Sequence, residues 1–363
     1  MTRKHNFYAG PAVLPLYAVT RAQEAILEYM DSGCGIAEIS HRSKYFDEIL
    51  DGSIATAKKL LGLGDDYHVI YVGGGASMVF AINALNFCKE GKKAQFIDSG
   101  TWASRAITEA SRTKAQVDVV WSGKDVKYSH LPEPEDLQFD DDASFVHFTT
   151  NNTIYGTQFK KFPQVKAPLF ADMSSDFFSR PIDANKFSMI YGGLQKNLGP
   201  AGAAMAIIRK DILENIPQGL SEMLDLSVYV KKNSIFNTPP VFTIFMTNLV
   251  LKWLDEEIGG LANMQKINEE KAGLIYNAID SSDGFYKGAV DVKEHRSLMN
   301  ITWRCKTEEL EKLFLTESQT HGFMGLKGHR SVGGLRASVY NSCPMESAKT
   351  LADFMNDFAK RNG

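Results

Sequence analysis

Between residues 67 and 209, short apolar runs recur at 67–72, 94–98, 116–121, 144–149, 168–171, 187–191 and 203–209. No other feature of the chain constrains its fold as strongly. Several runs are continuously apolar, the pattern of strands buried on both faces. Helical spacing at 77–87 and 102–112 separates the early ones. This rhythm predicts an α/β fold whose mainly parallel seven-stranded sheet is covered by helices.

The flanking regions read differently. Helices are predicted at 16–31 and 43–61. Val19, Ala22, Ile26 and Met30 fall on one face of the first and are expected to point inward. Phe46, Ile49, Leu50, Ile54 and Leu61 do the same in the second, which Gly62 stops. Helices dominate 241–279, broken near Gly259-Gly260. A strand at 298–304, a helix at 308–320, a strand at 335–340 and a helix at 345–360 follow. Thr307 is placed to cap the helix at 308, with Glu308 and Glu309 in its first turn. A smaller C-terminal α/β domain at about 261–363 is expected beside a large domain.

Composition serves to exclude. The 40 Lys and Arg stand against 43 Asp and Glu, so the basic excess of a nucleic-acid binder is missing. The longest apolar segment, 241–254, has 14 residues, short of the roughly 20 that span a bilayer. The N-terminal stretch carries Pro11 and Pro15 instead of an apolar leader. A cytoplasmic protein with no membrane partner is expected. Cys34, Cys88, Cys305 and Cys343 are widely spaced, with no metal-ligand pattern. No metal is expected.

Two segments suggest chemistry. Gly73-Gly74-Gly75-Ala76-Ser77-Met78 follows an apolar run and opens a helix. Its backbone N–H groups and the Ser77 hydroxyl could cradle a phosphate; it could equally be a tight turn that binds nothing. In Leu194-Gln195-Lys196-Asn197-Leu198-Gly199-Pro200, a lysine lies between two buried strands. Burial there would lower its pKa, as Schiff-base chemistry needs. Asp172 stands 24 residues earlier, at a strand end that faces the ligand crevice of α/β sheets; a helix cap is its other reading. Trp102, after Ser99-Gly100-Thr101, is either a stacking aromatic or a half-buried core residue.

A cradle, an aromatic, a strand-end Asp and a buried Lys occur in the order found in fold-type I pyridoxal-phosphate enzymes. The chain resembles the phosphoserine aminotransferase family over nearly its whole length. The resemblance rests on Asn6-Phe7-Tyr8-Ala9-Gly10-Pro11-Ala12, Ser40-His41-Arg42-Ser43, Ala171-Asp172-Met173-Ser174-Ser175-Asp176, Gln195-Lys196-Asn197-Leu198-Gly199-Pro200-Ala201-Gly202 and Gly328-His329-Arg330. It implies an N-terminal segment (1–15) associated with the small domain, a large pyridoxal-phosphate domain (16–260) and the small domain (261–363). Lys196 would carry the cofactor as a Schiff base, and Asp172 would pair with its ring nitrogen. Ala76, Ser77 and Gln195 would hold the phosphate, Trp102 would stack on the ring, and Thr153 would contact its hydroxyl side. Asn237 and Thr238 would reach the neighbouring subunit's cofactor, which implies a homodimer with composite sites.

The resemblance also implies the substrates, glutamate and a phosphorylated keto acid, 3-phosphohydroxypyruvate, in a ping-pong reaction. A phosphorylated four-carbon acid of pyridoxine biosynthesis is a further candidate. One pocket must then accept a carboxylate or a phosphate in turn. Arg offers a planar fork to either, and His can add charge. His41, Arg42, His329 and Arg330 fit that distal role, and Arg336 fits the α-carboxylate. Some members of the family carry Arg where this chain has Ala76-Ser77. A third His-Arg pair, His295-Arg296, abuts a strand and reads as structural. The competing readings are an alanine–glyoxylate-type aminotransferase, a cysteine desulfurase and a non-catalytic phosphate-binding regulator.

Overall fold

All seven apolar runs become strands of one sheet. The computed structural model describes residues 3–363. In chain order they form β1 (His5–Asn6), α1 (Leu16–Leu27), α2 (Lys44–Leu61), β2 (Tyr67–Gly73), α3 (Ala76–Phe87), β3 (Lys93–Asp98), α4 (Thr101–Ser111), β4 (Gln116–Ser122) and β5 (Phe145–Thr149). Next come β6 (Leu169–Asp172), β7 (Met189–Gly193), β8 (Ala203–Arg209), α5 (Lys210–Leu213), α6 (Leu226–Lys231), α7 (Val241–Lys252) and α8 (Leu261–Asp280). The chain closes with β9 (Tyr286–Gly288), β10 (Asn300–Cys305), α9 (Glu308–Thr320), β11 (Phe323–Met324), β12 (Leu335–Ser338) and α10 (Met345–Asn362).

The large sheet has the order β2-β8-β7-β6-β5-β3-β4. Only β8 runs against its neighbours. Both faces are covered, which explains the unbroken apolar runs. On one face Phe145, Phe170, Met189 and Tyr191 meet Val79 and Phe80 of α3 and Ala106 of α4. On the other, Val146, Phe148 and Ile190 meet Phe46 and Leu50 of α2 and Ile244 and Val250 of α7. The parallel strands β3, β5, β6 and β7 end on the same side, so the loops that follow them share one rim.

A second sheet, β12-β10-β9, is antiparallel. It shares a separate core with α8, α9 and α10 that includes Trp303, Phe314, Phe354 and Phe358. Phe7 and Val13 join that core, and β1 pairs in parallel with β11. The Thr307 hydroxyl caps α9 by accepting from the Leu310 N–H.

The first helix departs from expectation. It ends at Leu27, and its buried side is Ala18, Ala22 and Ala25. Ile26 is 48% exposed and Met30, beyond the helix end, 62%. Ala22 points inward as expected. Small side chains let α1 approach α7 closely, so the alanine stripe packs inward and Ile26, one turn after Ala22, lies at its edge.

Candidate active site

The glycine turn after β2 leads straight into α3. Gly75 is the cap residue, at φ +71, a backbone shape that side chains disfavour. No side chain caps the helix, so its first N–H groups at Ala76 and Ser77 face an adjoining cavity. A second such approach occurs at Gly100 before α4. Its φ is +152, and an added Cβ would lie 1.9 Å from the Asn152 amide nitrogen. Only glycine lets α4 start here and bring Trp102 to the cavity wall.

The cavity measures about 380 Å³ and is lined by Gly74, Gly75, Ala76, Ser77, Trp102, Asp172, Ser174, Gln195 and Lys196, among others. Asp172, at the end of β6, is 2% exposed. One of its oxygens accepts from the Ser174 N–H at 3.0 Å and from the Ser174 hydroxyl at 2.6 Å. Burial raises its pKa, and the charge of Lys196 opposes that shift. Lys196 is 8% exposed and donates to the Thr153 hydroxyl at 2.6 Å. Burial brings its pKa down to about 8, against the pull of Asp172. Its ammonium lies 5.6 Å from the centre of the Trp102 ring.

Arg336, on β12, reaches this group from the second sheet. Its Nη1 donates to the Thr153 carbonyl at 3.1 Å, while its buried Nε has no partner. Thr153 thus touches Lys196 with its hydroxyl and Arg336 with its backbone. The Trp102 indole N–H is also buried without a partner. A helix N-terminus, an aromatic wall, a buried carboxylate and a desolvated amine around one cavity suit a phosphorylated aromatic aldehyde. The residues present therefore fit pyridoxal phosphate.

The remaining expected residues lie elsewhere. His41 is half-buried and Arg42 exposed in the turn before α2, and neither lines the cavity. Asn237 and Thr238 are exposed in the stretch before α7, also off the cavity. His329 and Arg330 occupy a tight loop closed by the Gly328 N–H donating to the Gly334 carbonyl at 2.8 Å. Burial and the charges of Arg336 and Arg330 lower the His329 pKa. The loop adjoins the Arg336 strand, since the Arg336 N–H donates to the Leu326 carbonyl at 2.8 Å. His295-Arg296 is structural, as expected. His295 Nδ1 accepts from the Leu131 N–H at 3.1 Å, and Arg296 forks onto Asp280 with two contacts of 2.8 Å.

Ser174 had no expected role, yet it fixes the Asp172 carboxylate and accepts from the Gly193 N–H at 3.0 Å. Its spacing of two residues after an Asp is a local turn signal that could have marked it. The cysteines give no nucleophile. Burial pushes Cys88 and Cys305 up to about 12 and Cys343 up to about 11, and none lines the cavity.

Comparison with known proteins agrees with this geometry. The family model for class-V aminotransferases matches residues 5–351. A phosphoserine aminotransferase of Desulfatibacillum aliphaticivorans is 48% identical, over 99% of each chain. One from Geobacillus kaustophilus is 46% identical over the same shares. The solved phosphoserine aminotransferase of Bacillus circulans subsp. alkalophilus superposes with a TM-score of 0.96 at 48% identity, covering 99% of both chains. The pyridoxal-phosphate-bound enzyme of Trichomonas vaginalis gives 0.91 at 36% identity, covering 97% of this chain and 99% of that one.

Proposed function

Because the chain belongs to the phosphoserine aminotransferase family of class-V aminotransferases, and so is a pyridoxal-phosphate transaminase, we propose how its residues divide the work. The reaction moves an amino group from glutamate to 3-phosphohydroxypyruvate, giving 2-oxoglutarate and phosphoserine. The phosphorylated four-carbon acid of pyridoxine biosynthesis is proposed as a second acceptor. Both half-reactions use one site in ping-pong order, in the cytoplasm.

Pyridoxal phosphate, when bound, supplies an aldehyde for exchange between amines and a ring that delocalises the charge left at a substrate Cα. Lys196 Nζ is its attachment point. Once freed by the substrate amine, the same nitrogen would take the proton from the substrate Cα and hold it for return within the site. Burial, which brings the free Lys196 amine down to about 8, suits it to both transfers. Asp172, oriented by Ser174, holds a proton on the ring nitrogen. The N–H groups of Ala76 and Ser77, with Gln195, hold the phosphate. Trp102 would stack on the ring, and Thr153, which accepts from Lys196, would contact its hydroxyl side.

Arg336 takes the α-carboxylate. His41, Arg42, His329 and Arg330 take the distal anion, and Asn237 with Thr238 completes the cofactor phosphate site of a second subunit. These three exposed or half-buried stretches lie off the single-chain cavity, which supports a homodimer with shared sites. The separate cores support a division near residues 15 and 260 into an N-terminal segment, a large cofactor domain and a small C-terminal domain.

One observation carries this reading: the desolvated amine of Lys196 faces Trp102 and the Asp172 carboxyl across a single cavity. Borohydride reduction of the holoenzyme, followed by peptide mapping, tests it. The reduced cofactor should remain on Lys196. Attachment at another residue would overturn the assignment.

A further inference from the structure

Next to Lys196 stands a side chain to which the mechanism above gives no task. Asn197 is 3% exposed and both ends of its amide are engaged. Its Nδ2 donates to the Ser175 carbonyl at 3.1 Å, in the loop that follows Asp172. Its Oδ1 accepts from the Asn341 N–H at 3.0 Å. Asn341 belongs to the segment that leaves β12, the strand of Arg336. One amide therefore links the loop of the lysine, the loop of the aspartate and the exit of the carboxylate-binding strand.

The far end of this link is held firmly. Asn341, 2% exposed, donates from Nδ2 to the Phe178 carbonyl at 2.9 Å and accepts on Oδ1 from Asn268 at 2.9 Å. Lys271, fully buried on α8, donates to the carbonyls of Tyr340 at 2.6 Å and Asn341 at 3.2 Å. The other side of the lysine loop has a similar tether, since the Ala12 N–H donates to the Gln195 carbonyl at 2.9 Å. We infer that Asn197 is a positioning residue that sets Lys196 relative to Arg336 by tying the lysine loop to the Asn341 backbone. This rests on the reading of Lys196 as the amine that moves the substrate proton. A proton transfer between a lysine and a Cα held by Arg336 is sensitive to their separation, and a misplacement near 1 Å can cost roughly 100-fold in rate.

The experiment compares holoenzyme Asn197→Ala with Asn268→Ala, which weakens the same buried network but leaves the Asn197–Asn341 bond in place. Four readings are taken: kcat, the glutamate KM, the pH midpoint of the cofactor's visible band, and the thermal midpoint. Asn197→Ala should lower kcat at least about tenfold with KM within about threefold, the signature of a lost transition-state interaction, and should shift the band's pH midpoint. Asn268→Ala should lower the thermal midpoint and keep kcat and the band. If Asn197→Ala keeps kcat within about threefold, or if Asn268→Ala loses as much, the inference fails. Should Asn197→Ala not fold, Asn197→Ser, whose hydroxyl falls one bond short of Asn341, is read by the same criteria. Peptide mapping after borohydride separates the premise from the inference. A label away from Lys196 defeats the premise, and a label on Lys196 with unchanged kcat defeats the inference alone.

Discussion

The proposed cofactor end and the proposed distal-anion end of the site are built by opposite means. Asp172 ends a sheet strand, Thr153 and Lys196 lie in the loops just after β5 and β7, and all three are buried. Ser174 donates to Asp172 at 2.6 and 3.0 Å, and Lys196 donates to Thr153 at 2.6 Å. His41, Arg42, His329 and Arg330 lie in turns, and Arg42 is exposed with no side-chain partner among the described contacts. The chemical step needs groups held in fixed geometry, which buried strand ends provide. In the proposed reaction the distal pocket would accept a carboxylate and then a phosphate. Cations on loops can adjust to both at little structural cost.

The largest test of this contrast falls on the buried end. Lys196→Ala should cost more than about 10⁴-fold in kcat, the upper range for a positioned acid–base, because the residue also anchors the cofactor. Steady-state assays and loss of the borohydride-reducible visible band check it. Asp172→Asn should follow, at about 10²–10³-fold in kcat, the usual loss when one preorganised electrostatic partner is removed. The cofactor should remain bound through Lys196, so the band should persist while turnover falls.

Substitutions at the open end should act on binding instead. Arg42→Ala and Arg330→Ala should each raise the KM for the phosphorylated keto acid about 10- to 100-fold, from loss of a charge-assisted hydrogen bond of roughly 1.5–3 kcal/mol. Cofactor spectra should stay as they were. Unchanged KM in both variants would remove the distal-anion role and with it the contrast between the two ends. Heterodimers of Lys196→Ala and Arg330→Ala subunits sharpen the point. Partial recovery of activity is expected if Arg330 serves the neighbouring site, and none if it serves its own.

The same division decides what can be read from the chain. The strands were readable because burial on both faces leaves unbroken apolar runs, and all seven fall within two residues of their expected limits. The buried positions of Asp172 and Lys196 beside the cavity were readable because strand ends and glycine turns punctuate the sequence around them. The buried face of α1 was not. Its alanine stripe carries less hydrophobicity than Ile26 and Met30, and only the close approach of α7 makes it the inner side. The β1–β11 pair was equally hidden, since two-residue strands more than 300 positions apart leave no periodic signal. For His41 and Arg42 the residue types were suggestive, but their place off the single-chain cavity depends on tertiary packing that no local pattern encodes.

The smallest predicted effect concerns the protonation of the buried amine itself. In the cofactor-free protein, burial lowers the Lys196 pKa to about 8, and Asp172 only partly offsets this. The neutral amine is the form that attacks an aldehyde. Its fraction rises with pH through about 8 and then levels off, so attachment of pyridoxal phosphate should quicken about fivefold from pH 7 to pH 8 and little above pH 9. An amine left in water would ionise near 10.4 and would keep gaining about tenfold per unit over that whole range. Stopped-flow absorbance of cofactor uptake by the apoprotein distinguishes the two curves. A plateau near pH 9 places the desolvation in the folded site before the cofactor arrives. A continued tenfold climb would mean that water reaches Lys196 and that the buried end is less preorganised than its hydrogen bonds imply.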